Sequence, residues 1–335
     1  MTDDVGEISE RIAAFLAAQP DAAPAPRVDG IARIGVGRSR ENWLFDATWP
    51  DGTVEPLIVR RDPPGGLLET DRATEFAVLR ALEATAVPAP VARWLDATGR
   101  HLGRPSLVMR REPGTCDYFV LNGPDPLASR VALAERFCDL LANIHAVDWA
   151  AAGLGHLFAD PGPAAADHEL DRWAAVLRQD RLEPTPELDL ALAWLRETAP
   201  SSSATVLVHG DFKAGNALLL DDEDGPCPRI VALLDWELAH LGDPMEDLGW
   251  ITQPLRTREH LIDGAWEREQ LFARYERTTD RAVDLDAVRW WNVFSSFKTA
   301  VMQTSGLRSF VEGRCDEPYR PTAPVLRALL DAVAA

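Results

Sequence analysis

The chain is poor in cysteine. Its 335 residues hold four, Cys116, Cys138, Cys227 and Cys315. They are too scattered for metal-ligand spacing and suggest no disulfide framework. A reducing, cytoplasmic setting is the expectation. Long hydrophobic runs are also missing. No apolar stretch approaches the ~20 residues that cross a bilayer, so no membrane partner is expected. The N-terminal MTDDVGEISERIAAFLAAQP carries acidic residues where a signal peptide would carry basic ones. Basic charge is in deficit: 34 Lys plus Arg against 53 Asp plus Glu leave a net charge of −19. That balance opposes binding to nucleic acid or to an anionic surface. Internal repeats and low-complexity blocks are absent.

What remains is the composition of a globular protein, 46% hydrophobic and 26% charged, with a length that suits two lobes. Ile8, Ile12, Phe15 and Leu16 fall on one helical face. The Pro/Ala-rich PDAAPAPRVDG after them reads as a linker. A strand-rich stretch follows. IARIGVG, ENWLFDATW and EPLIVRR read as three strands, the last two joined by the turn PDGT. TDRATEFAVLRALEAT places Phe76, Leu79 and Leu82 on one helical face, and VARWLDA and PSLVMRRE read as two further strands. Beyond Pro113-Gly114 the pattern turns helical, beginning with a long apolar-faced helix over Pro126 to Trp149. The expected fold is α+β and two-lobed. Residues 1–24 form a helix and linker, 25–112 a small antiparallel lobe, and 113–335 a larger helical lobe. A cleft between the lobes is the default ligand site.

Between two apolar segments lies a polar turn, LVHGDFKAGNALLL. Buried polar groups are costly unless satisfied, so the turn needs a structural or a chemical reason. Asp211 and Asn216 have the D-x-x-x-x-N spacing of a kinase catalytic loop. Phosphoryl transfer needs a carboxylate near the acceptor hydroxyl and an oxygen ligand for Mg²⁺ nearby. One tight loop supplies both. Lys213, two residues past Asp211, is placed to meet the γ-phosphate. Downstream, LLDWE ends a strand at Asp235, the expected second metal ligand. Trp236-Glu237 stands where a kinase has Phe-Gly, and Glu237 is a candidate contact to metal or substrate.

HGDFKAGN followed by LLDWELAHLGDPMEDLGW resembles the aminoglycoside phosphotransferase and choline kinase superfamily, a branch of the protein-kinase-like fold. LIVRRDPPGG, RATEFAVLRAL and VPAPVARWL resemble most the phosphotransferase domain that some acyl-CoA dehydrogenases carry. The resemblance runs from about Ile31 to the C-terminus and implies a small-molecule kinase. It would use ATP or GTP with Mg²⁺ and act on the hydroxyl of a small acceptor.

The resemblance also implies nucleotide contacts. Gly35 and Gly37 match two glycines of the phosphate loop, with Arg40 in place of the third and Ser39 as a further phosphate contact. The usual strand lysine is replaced by Arg60, with Glu75 as its expected carboxylate partner. Backbone groups of Met109, Arg110 and Arg111 are expected at the base. The eleven tryptophans read mostly as core or cleft wall, and Trp250, Trp290 and Trp291, in the part that faces the acceptor in this superfamily, are also candidate substrate contacts. His209 is read as a hydrogen-bonder of the loop, His145 as a packed core residue, and Asp243 and Asp247 as caps that brace the loop. Two alternatives stand beside this reading: an antibiotic O-phosphotransferase, and a regulatory pseudokinase, to which the missing lysine and third glycine point.

Overall fold

The computed structural model describes residues 5–22, 24–34, 41–62, 71–315 and 317–334. Gly35, Gly37, Ser39 and Arg40 lie outside the described residues. The first helix, α1 (Val5–Ala17), is followed by β1 (Arg27–Ile34), β2 (Glu41–Thr48) and β3 (Val54–Arg61). Then come α2 (Arg72–Leu82), β4 (Ala92–Asp96) and β5 (Ser106–Arg110). The five strands form one antiparallel sheet in the order β1-β2-β3-β5-β4. Strand β1 starts inside the segment that reads as a linker. A register shift between Asp29 and Ala32, with Gly30 at φ 64°, breaks the alternation that would have marked it.

Strand β2 alternates strictly, and its buried Trp43, Phe45 and Ala47 face α1. Ile8, Ile12, Phe15 and Leu16 of α1 complete that cluster, so the first helix belongs to the same core as the sheet. The other sheet face, through Leu107 and Met109 of β5, packs on Val78, Leu79 and Leu82 of α2. Buried on both sides, β5 loses the alternation and reads as a continuous apolar run.

The second lobe contains α3 (Leu127–His145), α4 (Ala165–Asp180) and α5 (Pro186–Glu197). Four short strands follow: β6 (Val206–Val208), β7 (Ala217–Leu220), β8 (Arg229–Leu233) and β9 (His240–Gly242). Helices α6 (Pro244–Thr252), α7 (Thr257–His260), α8 (Arg268–Thr279), α9 (Leu285–Val311) and α10 (Ala323–Ala334) complete it. Helix α9 is buried along most of its 27 residues and forms the axis on which α4, α5, α6 and α10 pack. The protein is thus a two-lobed α+β molecule. Among the described residues no helix is long and apolar enough to cross a membrane.

Two short ladders set the geometry of the interlobe face. β6 pairs β9 with Val208 opposite His240, and β7 pairs β8 with Ala217 opposite Leu233. The first register sets the start of the 209–216 turn against the end of the 234–239 turn. The second sets Asn216 beside Leu234, whose amide donates to the Asn216 carbonyl at 2.7 Å. Two loops distant in sequence are thereby held side by side.

Candidate active site

Arg60 lies near the end of β3, in register with Asn42 and Leu107, and its side chain passes over α2. Its Nη1 donates to Glu75 Oε1 at 3.1 Å, with both residues buried. Asp71 caps α2 by accepting from the Ala73 amide at 3.0 Å, which fixes the turn from which Glu75 projects. Arg60 also donates to Asp235 of the other lobe. Burial opposes its charge, but Glu75 and Asp235 more than offset this and raise its pKa, so the guanidinium stays ionised. Arg72 forms a second bridge. It pairs with Glu75, with Asp62 at 2.7 Å and with Glu237 at 3.0 Å. The Arg60–Glu75 contact is the one read from the sequence. The extensions to Asp235 and through Arg72 to Glu237 are not visible there, because they join segments 165 and 175 residues apart.

The turn after β6 is tied down by Asp247. Its carboxylate accepts from the amides of His209 (2.9 Å) and Gly210 (3.0 Å) and from His145 Nε2 (3.2 Å). Burial by itself would raise this carboxyl. The hydrogen bond and charge of His145, with the His209 contacts, bring it instead to about 2. His209 is neutral: burial lowers its pKa against the pull of Asp247 and Asp211. Its Nε2–H donates to the Leu234 carbonyl at 3.0 Å, and its Nδ1 accepts the Asp211 amide at 3.2 Å. His209 is therefore a hydrogen-bonding strut of the loop, as read from the sequence.

Asp211 is placed at the mouth of this loop. Lys213 Nζ lies 2.5 Å from its Oδ2, and Asn216 Nδ2 donates to the same oxygen at 3.2 Å and to the Asp211 carbonyl at 3.0 Å. Among the described residues, Asp211 Oδ1 and Asn216 Oδ1 have no partner. Burial works against the Lys213 charge, but Asp211 raises its pKa overall. The Lys213 ammonium also sits 5.8 Å from the Tyr118 ring centre.

Asp235 adopts a left-handed backbone, φ 64°, one of two non-glycine residues to do so among the described residues. Such a conformation is strained and survives only where surroundings impose it. Here Trp236 holds it, with Nε1 donating to the Leu233 carbonyl at 2.8 Å and its ring 4.7 Å from that of His209. The Asp235 side chain remains 35% exposed. The donor set suits Mg²⁺: a carboxylate and an amide oxygen, both hard, on adjoining loops, with Asn216 Oδ1 left open.

Several expected residues are placed differently. The amide of Arg110 donates to Val91 O and that of Arg111 to Pro56 O, both at 2.9 Å. Their side chains pair with Glu112 and Asp46. Neither amide is therefore free for a base, and Met109 is buried within the ladder. Glu112 is the next amide along the chain and donates to nothing among the described residues. The tryptophans do not face a cleft. Trp290 stacks on Phe294 and donates to the Leu195 carbonyl at 3.0 Å. Trp291 packs against Gly249, and Trp250 lies between the cationic groups of Arg256 (4.3 Å) and Lys298 (5.1 Å). All three are buried core residues: α9, which carries Trp290 and Trp291, is enclosed on nearly every side, and every residue of α6, which carries Trp250, is buried. Asp243 caps α6, accepting from the Met245 amide at 2.8 Å.

Glu237 borders a cavity of about 460 Å³, shared with Leu238, His240, Glu169, Arg172 and Trp173. Leu238 packs directly on Gly210. Behind it His240 Nε2 lies 3.1 Å from Glu246 and 3.7 Å from Glu169. Burial would lower the His240 pKa, but the two carboxylates raise it to about 9. The chain of charges continues to Lys298, whose Nζ is 3.6 Å from Glu246 and donates to the Gly210 carbonyl at 2.8 Å. Lys298 is not read as a site residue in the sequence. The available signal is a lone basic residue in the apolar run VFSSFKTAVM.

Strand-braced Asp211, Asn216 and Asp235, met across the cleft by an Arg60–Glu75 pair, define a kinase-like phosphotransferase fold. Residues 30–291 match the model of the phosphotransferase enzyme family known as APH, and the chain belongs to that family. It is 29% identical over 256 residues to Probable acyl-CoA dehydrogenase IBR3 of Arabidopsis thaliana, covering 70% of this chain and 30% of that protein. It is 30% identical over 280 residues to Acyl-CoA dehydrogenase family member 11 of Mus musculus, covering 77% and 34%. The chain thus spans about a third of the length of each of these two relatives. Among solved structures, a Ralstonia eutropha JMP134 protein classed with the aminoglycoside phosphotransferases superposes with a TM-score of 0.71. The two are 24% identical, over 97% of this chain and 95% of that one.

Proposed function

We propose that this chain is a cytoplasmic small-molecule kinase that transfers the γ-phosphate of ATP or GTP to the hydroxyl of a small acceptor. Support comes chiefly from one observation. Asp211, Asn216 and Asp235 lie on adjoining loops, and Arg60 reaches Asp235 from the opposite lobe. Residues 25–112 form the nucleotide lobe and 113–335 the lobe that carries the catalytic loop and the acceptor.

In this reading Asp211 Oδ1, the oxygen left open by Lys213 and Asn216, accepts the proton of the acceptor hydroxyl. The hydroxyl oxygen bonds to the γ-phosphorus. The bond from that phosphorus to its bridging oxygen breaks, and the nucleoside diphosphate leaves. Asn216 Oδ1 and Asp235 would hold Mg²⁺, which when bound neutralises phosphate charge. Arg60 and Lys213 supply further positive charge at the phosphates. Glu75 keeps Arg60 extended toward the cleft.

A second reading, a nucleotide-binding pseudokinase, is favoured by one contact. Arg60 occupies Asp235, so a metal ligand and a phosphate ligand neutralise each other. Mg²⁺-dependent consumption of ATP and of GTP, screened over hydroxylated metabolites and antibiotics, separates the two. Turnover that Asp211→Asn abolishes supports the kinase. Nucleotide binding without turnover on any acceptor supports the pseudokinase.

A further inference from the structure

We propose that Lys298 is a positioning residue for phosphoryl transfer: its ammonium locks the peptide plane that carries Asp211. The proposal rests on the kinase reading above. The Gly210–Asp211 peptide is held at both polar atoms. Its carbonyl accepts from Lys298 Nζ at 2.8 Å, and its N–H donates to His209 Nδ1 at 3.2 Å. With both ends anchored, the peptide cannot rotate about the two bonds that flank it. That rotation would swing the Asp211 side chain away from its present aim.

Gly210 is where the loop most needs such an anchor. Its φ is 77°, and a Cβ there would come within 2.8 Å of the Leu238 carbonyl. The position therefore demands glycine, the residue with the least backbone stiffness of its own. Rigidity has to be supplied from outside the loop, and Asp247 and Lys298 supply it from opposite directions.

The surroundings of Lys298 fit this role. It is 1% exposed, and besides Gly210 it meets Glu246 at 3.6 Å and the faces of Trp173 (5.4 Å) and Trp250 (5.1 Å). A buried ion pair is poor value as a stabilising element, because desolvating both charges cancels most of their attraction. A methionine would fill the same space between two indoles without that cost. The charge is accounted for by the carbonyl it holds, with Glu246 as its counterion and His240 in turn holding Glu246.

The test compares the full chain with Lys298→Met, Lys298→Met/Glu246→Gln and Asp211→Asn. Three quantities are measured with MgATP: acceptor-independent phosphate release, melting temperature, and hydrogen exchange of the Asp211 amide. Lys298→Met should lower kcat by about tenfold to 100-fold, the cost of a misaimed catalytic group. Its nucleotide KM should stay within about twofold, since nucleotide binding is not its task. It should also melt earlier, because Glu246 loses one of its two cationic partners and keeps only His240. The double variant removes that underpaired carboxylate. It should regain melting temperature while kcat stays low and Asp211 amide exchange stays fast. Recovery of kcat together with melting temperature would make Lys298 a mere counterion and overturn the proposal. So would unchanged amide protection in both Lys298 variants. If Asp211→Asn keeps the parent rate, the kinase reading fails instead, whereas a parent that releases no phosphate without an acceptor shows only that water does not replace the acceptor hydroxyl. The exchange measurement then still decides whether Lys298 clamps the loop.

Discussion

Arg60 on the sheet and Asp235 on the helical lobe form an ion pair that bridges the cleft. Glu75 holds the other arm of the same guanidinium at 3.1 Å. One arginine thus holds a carboxylate from each lobe. In the proposed kinase, Asp235 would exchange Arg60 for Mg²⁺, and Arg60 would be free for the phosphates.

From this exchange a contrast follows between the two proposed metal ligands. Asp235→Ala should weaken Mg²⁺-dependent nucleotide binding more than Asn216→Ala does, because a carboxylate gives a hard cation full charge and an amide only a dipole. Without Mg²⁺ the order should invert. Asp235→Ala should then bind nucleotide at least as well as the parent, since Arg60 is freed. Titration calorimetry with and without Mg²⁺ reads both, and equal losses under both conditions would refute the assignment.

Arg60→Ala should raise the nucleotide KM and lower kcat together. Glu75→Ala should give a milder form of the same defect, leaving Arg60 charged but held only from the Asp235 side. The double variant should lose less than the sum, by roughly 0.5–3 kcal/mol of coupling. Arg60→Lys should be tolerated, as a point charge still reaches phosphate. Steady-state kinetics on the four proteins decides, and strict additivity would reduce the pair to an isolated ion pair without a shared task.

Asp211→Asn should cut turnover by about 100-fold or more, the usual range for removing a general base. Nucleotide affinity should barely change, because the proposed role of Asp211 is toward the acceptor and not the nucleotide. Retained turnover within about tenfold, a barrier change of only ~1.4 kcal/mol, would remove Asp211 from the mechanism.

The buried His240 makes stability depend on pH in a defined sense. Its pKa is raised from 6.5 to about 9 by Glu169 and Glu246 against the opposing effect of burial. A raised folded pKa contributes stability that is fully present below 6.5 and is lost as pH rises through about 9. Glu169, brought down to about 2 by His240 and Arg172 despite its burial, acts at the other end. Its contribution is present above the ordinary carboxylate pKa and disappears as pH falls through about 2. Melting temperatures across alkaline pH should therefore fall near 9 in the parent and show no such step in His240→Gln. A step that persists in the variant would place the titration elsewhere.

Local spacing made part of this protein legible. Asp211 and Asn216 sit five residues apart in one turn, close enough along the chain for their polar groups to meet. Alternation revealed β2, and a helical stripe revealed α2, because each reports one buried face. The pairing of Arg60 with Glu75 came from the family resemblance laid over those elements, not from spacing. The sequence left Trp290 and Trp291 open between core and acceptor wall, since an aromatic helix near the acceptor side and an aromatic helix at the centre of a core have the same sequence. Only burial of α9 by α4, α5, α6 and α10 tells them apart. Likewise Arg110 and Arg111 look available in the sequence, and only the sheet register shows that their amides are taken.

What the sequence determined alone was therefore the set of local units: the elements, their order, and the polar groups carried by single turns. Tertiary structure decided which units meet. Arg60 reaches Asp235 across 175 positions, and Lys298 reaches Gly210 across 88. Contacts of that kind follow from how lobes and helices pack, which no spacing along the chain encodes. Burial then gives these contacts their weight, because a charge withdrawn from water must find its partner wherever the fold has put it.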